Sequence, residues 1–146
     1  MSEVTKITDI YDSFLSRISD YSFLSDNITE EEIMEDLFGY FKSARTKFYK
    51  CKNSLKTIDD NGETVFTVEL HPFEVEVLVS LMLVEYLKPK VLTDENMKQS
   101  LSDKDFKIYS QANQLKEMSL LYRNFAKEAR KLITEYSYID LDKEKW

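Results

Sequence analysis

The stretch from His71 to Leu87 constrains the fold more than any other part of the chain. Pro72 stands where a helix accepts proline, at its first position, because the missing N–H would have no partner there anyway. Pro89 predicts an end, since the residue before a proline avoids the helical region. Between them only Glu74, Glu76, Ser80 and Glu85 are polar. At about 100° per residue, Glu74 and Glu85 share one narrow strip, and Glu76 and Ser80 lie on roughly the opposite side. A helix this apolar must be wrapped by others over most of its circumference. Its run of about 16 residues is too short for a membrane span, which needs about 20 with few charges. The segment therefore predicts the central post of a small helical domain, over about 72–87.

Length and composition agree. A chain of 146 residues can bury one real core, and two Gly with two Pro leave little material for tight turns. The net charge of −7 argues against autonomous nucleic-acid binding, where a basic excess supplies most of the affinity. One cysteine, Cys51, excludes an internal disulfide and a cysteine-based metal site. The first residues lack the apolar core of a signal peptide, which predicts a protein made and kept inside a cell, or in something assembled there.

The remaining elements follow from spacing. Ile7, Ile10, Tyr11, Phe14, Leu15 and Ile18 predict a first helix from about Thr8 to Arg17. Residues 19–27 read as a connector. Thr29 and Glu32 form a capping box that opens a helix of about 22 residues. Its buried stripe is Ile33, Leu37, Phe41, Ala44, Phe48 and Cys51, and its acidic start and basic end complement the helix dipole. Ser54–Ile58 and Thr64–Leu70 flank Asn61-Gly62, the strongest short hairpin signal, so a β-hairpin is expected over about 54–70. Phe66, Val68 and Leu70 should face one way, and Val65, Thr67 and Glu69 the other. A lone hairpin is marginal, so one face should lie on the helices or on a neighbouring subunit.

After Pro89 a separate short helix is expected from Thr93 to about Leu101. A last helix should cover about 106–136, with a candidate break near Ser110–Asn113. At about 45 Å it would be twice as long as the central helix, leaving part of it in need of a partner. Residues 1–136 thus predict one mainly α domain, a helical bundle with an inserted hairpin. Residues 137–146 form a tail whose Tyr138, Ile139, Leu141 and Trp146 are costly to leave in water, so it is expected to dock on a partner.

Catalytic chemistry is sought and not found. Glu31, Glu32 and Glu35 match half of the acidic pattern with which helical nucleotide pyrophosphohydrolases hold Mg²⁺. The second half is missing, because Glu74, Glu76 and Glu85 occupy opposite faces, so a capping box with a dipole-complementing first turn explains the acids better. His71, the only histidine, reads as a loop or cap residue, and Cys51 as a small core residue. Lys42, Arg45, Lys47, Lys50, Lys52 and Lys56 form a basic run with interleaved aromatics and no acid. A solvated helix end is the first reading of that run, and a contact with an acidic partner the second. No catalytic residue, metal or cofactor is expected.

Two segments carry a family resemblance. Leu70 to Leu78 with Met82 to Lys90, and Phe106 to Leu115 with Arg130 to Tyr138, resemble the head–tail connector (adaptor or neck) proteins of tailed bacteriophages. The most specific piece is Tyr109-Ser110-Gln111-Ala112-Asn113; the N-terminal half carries no matching motif. The resemblance implies a structural virion protein, made in the host cytoplasm and not an enzyme. It implies a homo-oligomeric ring, commonly of twelve copies, between the portal protein and the next neck or tail protein. The tail would pack against the portal. Tyr138, Ile139, Leu141 and Trp146, with the hairpin-tip residues Asn61 and Gly62, are the expected partner-interface residues. Such a ring would pass DNA through a negatively charged lumen without sequence-specific binding, and without a membrane. The alternative from the residues alone is a small cytoplasmic helical regulator that binds an acidic or helical protein through the Lys42–Lys56 surface.

Overall fold

The computed structural model describes residues 4–19, 30–100 and 106–139, of which 30–34, 92–100 and 106–115 are described by backbone alone. The expected architecture is present: a mainly α fold with one two-stranded antiparallel hairpin. The order is α1 (Ile7–Ser19), α2 (Glu30–Lys47), β1 (Thr57–Asp60), β2 (Glu63–Phe66), α3 (Pro72–Ser100) and α4 (Phe106–Tyr136). Thr29, the connector at 20–27 and the tail beyond Ile139 lie outside the described residues, as do the side chains of Glu31, Glu32 and Ile33.

α3 is the post. Every residue from Val77 to Leu87 is buried except Glu85, which is half-buried. The polar strips of this helix meet bases from different neighbours. Glu76 pairs with Arg17 on α1, and Glu85 pairs with Lys47 at the end of α2. Aromatic rings fill the space between the elements: Phe14 meets the edge of Tyr86 at 5.8 Å, and Phe41 meets Phe66 of the hairpin at 5.6 Å. Such offset and edge-on pairs add to the gain from area burial.

α3 does not end at Pro89. It continues to Ser100 with the proline inside it, and absorbs the separate helix expected from Thr93. A mid-helix proline leaves the carbonyl of Glu85 without its N–H partner and crowds it. Packing overrides that local cost, since Tyr86 and Leu87 before the proline and Val91 after it are all buried. Lys90 lies over the Tyr86 ring at 5.1 Å, closing the same turn. Pro89 itself is exposed. Pro89→Ala is therefore expected to stabilise the fold by about 1–2 kcal/mol, the helical gain less the freer unfolded chain. Thermal unfolding of the variant checks this.

The longer α3 also removes the expected length mismatch. α4 runs unbroken over its 31 residues, through Ser110–Asn113, and α3 has 29. Among the described residues the two form the most extensive pairing of elements. They are antiparallel, because Tyr136 at the end of α4 touches Glu74 at the start of α3. The extra length of the last helix thus finds its partner within the chain.

The hairpin is shorter than expected, 57–66 rather than about 54–70. Asn61 (φ 52°) and Gly62 (φ 83°) form the two-residue turn with both residues left-handed, as Asn-Gly predicts. Ser54 leaves the strand to accept the Lys56 N–H at 3.3 Å. On the other side the chain's own N-terminus takes over the pairing. Phe66 N–H donates to the Thr5 carbonyl (2.9 Å), Thr5 N–H to Val68 (3.3 Å), and Leu70 N–H to the Thr5 hydroxyl (2.8 Å). This pairs the free edge of β2, whose Val65 and Phe66 are both buried although they point oppositely, Phe66 against Phe41 in the helical core. The hairpin rests on its own helices and N-terminus.

Candidate functional site

The end of α4 and the loop after α2 are joined by one buried carboxylate. Glu74 is 0% exposed. It is the third residue of α3, and its Oε1 accepts the His71 N–H at 2.8 Å. His71 in turn caps the helix: its Nδ1 accepts the Phe73 N–H at 3.1 Å, and its carbonyl accepts from Val75. This is a capping box with histidine where serine or threonine is usual. Pro72 follows at the first helical position, as the sequence predicts.

Glu74 then collects donors from two further segments. Asn53 Nδ2 donates to Oε1 at 2.7 Å, and the Tyr136 hydroxyl and Cys51 thiol donate to Oε2 at 2.6 and 3.0 Å. The Asn53 N–H adds a weaker contact at 3.4 Å. The Tyr136 oxygen also accepts the Lys52 N–H at 2.8 Å, so the loop donates to the tyrosine and the tyrosine to the carboxylate.

The electrostatics follow. Burial, the largest influence on Glu74, acts to raise its pKa. Hydrogen bonds from Tyr136, Cys51, Asn53 and the His71 N–H act the other way and prevail, holding the carboxyl below its ordinary value. Burial, then the bond to Glu74, pushes the Cys51 thiol up to about 12 and the Tyr136 phenol well above its ordinary range. Cys51 is accordingly a protonated donor, far from the thiolate a nucleophile requires. Among the described residues no group of His, Cys, Asp and Glu has the geometry to hold a metal.

This hub fixes the root of the tail. Tyr136 packs edge-on against Phe48 at 5.0 Å and stacks on Phe73 at 6.1 Å. The Lys52 ammonium lies over the Tyr136 ring at 5.5 Å and donates to the Ile139 carbonyl at 2.6 Å. The main chain at Ile139 is therefore fixed beside the 51–56 loop. Tyr138 is 86% exposed there, and Ile139 is half-buried. Leu141 and Trp146 lie outside the described residues. Asn61 and Gly62 sit exposed at the hairpin tip, and among the described residues no hydrogen bond or ion pair links that tip to the tail root.

The basic run is arranged on its aromatics. Lys42 lies over Phe38, Arg45 over Phe41 and Lys50 over Tyr49, while Lys47 takes Glu85. Beside the 51–56 loop, Arg45, Phe48, Tyr49, Leu55 and Lys56 line an open cleft of about 420 Å³.

Sequence reasoning missed the hub. Its signal was His71-x-x-Glu74 ahead of an apolar run, a capping-box pattern with an uncommon first residue. Asn53 and Tyr136 carried no signal, because their partnership depends on tertiary placement. Among the described residues no helix is long and apolar enough to cross a membrane. A scan against known protein families finds no match to this chain, and neither do searches of curated proteins and solved structures.

Proposed function

We propose that this protein is a head–tail connector of a tailed bacteriophage, a structural subunit that forms a ring beneath the portal and docks on it through residues 137–146. The observation that carries the proposal is the anchored tail root. Tyr136 and Ile139 are held by Glu74 and Lys52, and between them Tyr138 stands almost fully exposed, ahead of a sequence that carries Leu141 and Trp146 among five charged residues. A fixed root ahead of a tail that carries Tyr138, Ile139, Leu141 and Trp146 suits strand addition or groove docking on another chain, because the domain loses little freedom when the tail binds. The resemblance over Leu70–Tyr138 supports the same reading. In a ring the contacts between copies are heterologous, so different patches meet.

Deletion of residues 137–146 tests the proposal. The truncated chain should keep its helical content and fold, and lose co-sedimentation with the portal protein. Retained portal binding by the truncated chain would refute the role given to the tail.

A further inference from the structure

We propose that the cleft beside the 51–56 loop receives the hairpin tip of a second copy of this chain, so that copies join head to tail. The cleft sets apolar surface from Phe48, Tyr49 and Leu55 beside two cations, Arg45 and Lys56, and none of the residues that line it is acidic. Tyr49 is 78% exposed. Among the described residues neither Arg45 nor Lys56 has a carboxylate within ion-pair distance. The described carboxylates of α3 are engaged elsewhere, Glu76 by Arg17, Glu85 by Lys47 and Glu74 by its own donors. The cleft thus lacks the negative charge that would complement it.

The hairpin tip carries the complementary set. Residues 57–64 include Asp59, Asp60 and Glu63 and no base. Asp60 stands directly opposite Glu63 across the strands, and like charges so placed repel. Lys6 lies 3.4 Å from Glu63 and supplies one cation. Asp59 and Asp60 remain without an ion-pair partner among the described residues. Side chains alternate along a strand, so Ile58 shares a face with Asp60, and it is 46% exposed. The tip therefore offers acid beside an apolar side chain, where the cleft offers cations beside apolar walls. A chain cannot fill its own cleft in this way. Lys56 precedes β1 and Asp60 ends it, so the strand holds the two about 13 Å apart. Tip and cleft are different patches, so the contact is heterologous, and each copy offers one of each to its neighbours. It is small beside the roughly 1,000 Å² of a stable interface, so it is weak between free copies and gains strength where many are held together.

The inference does not rest on the connector reading: its test uses this chain alone, and its failure leaves portal docking by the tail untouched. In sedimentation velocity at low salt, the full-length chain should pass from monomer to larger species as its concentration rises to the order of 1 mM. Lys56→Glu and Asp60→Lys, both at exposed positions, should each weaken that association by about tenfold, because like charges then meet. Mixed in equal amounts, the two variants should pair again, since the intact tip of one meets the intact cleft of the other. Raised salt should weaken the association of the unaltered chain. Lys127→Glu, exposed on α4 and outside both patches, should leave it unchanged. An unaltered chain that stays monomeric over this range would overturn the inference, as would association that both variants retain or that mixing fails to restore. Association abolished by Lys56→Glu and untouched by Asp60→Lys would overturn it as well, because another acidic segment would then be the occupant.

Discussion

Glu74→Ala is expected to be the most damaging single substitution outside the apolar core, costing about 3–5 kcal/mol by the measure of a buried network stripped of its acceptor. The His71 N–H, both Asn53 donors, the Tyr136 hydroxyl and the Cys51 thiol all converge on this carboxylate. Removing it leaves them facing a void with no replacement. For a domain of this length the melting temperature should fall by roughly 10 °C or more. Glu74→Gln should cost less, about 1–2 kcal/mol. Its amide oxygen can serve His71 and Asn53, and the Tyr136 hydroxyl and Cys51 sulfur can reverse roles and accept from its NH₂ group. The two substitutions separate the loss of shape and acceptor from the loss of charge.

The same residue sets a pH dependence of known sign. The folded pKa of Glu74 lies below its unfolded value, so the unfolded chain binds the additional proton as pH falls. Its contribution is full above the unfolded pKa of about 4.3 and disappears as pH drops through the folded value. Glu74→Gln should flatten this acid limb. Urea unfolding at a series of pH values below 6 checks it, and a limb of unchanged slope would mean that other carboxylates govern acid unfolding.

The second large effect is at the joint between hairpin and helices. Phe41 and Phe66 are both fully buried and meet edge to face at 5.6 Å. Phe41→Ala or Phe66→Ala should each cost about 3–5 kcal/mol, through lost burial and the cavity left behind. The double variant should cost less than the sum, by about 0.5–1.5 kcal/mol, because the pair itself is lost only once. Strict additivity in denaturant unfolding would show that the hairpin is held elsewhere, by Thr5 and its bonds to Phe66, Val68 and Leu70.

Much of this architecture was legible in the sequence because it rests on local signals. The first helix has the expected buried stripe at Ile7, Ile10, Phe14 and Ile18. The last helix has the expected bounds, and Asn61-Gly62 turns as its composition dictates. What failed was punctuation by a single residue. Pro89 stops a helix only when nothing beyond it must be buried, and here Val91 is. Reading it as a terminus shortened α3, and that error made the last helix look unpartnered. The hairpin, expected on the helices or on a neighbouring subunit, lies on the helices, and its further pairing with Thr5 and Lys6 was not legible because they carry no mark of a strand. Two of the three features that pointed outward from the domain are therefore satisfied within it. The tail is the third, and its root is better defined than the sequence alone could show. Docking by residues 137–146 is an expectation from their alternation, whereas the Glu74–Tyr136–Lys52 connection at the tail root joins residues far apart in the chain and leaves no local mark.

The central proposal, a connector ring on the portal, has one direct measurement. Electron microscopy of the full-length chain mixed with the portal protein should show a ring coaxial with the portal, with the chain in many copies around the axis. A free monomer in the absence of portal is compatible with assembly on the portal surface. A chain that stays monomeric or dimeric with the portal present, leaving bare portal rings, would contradict the account.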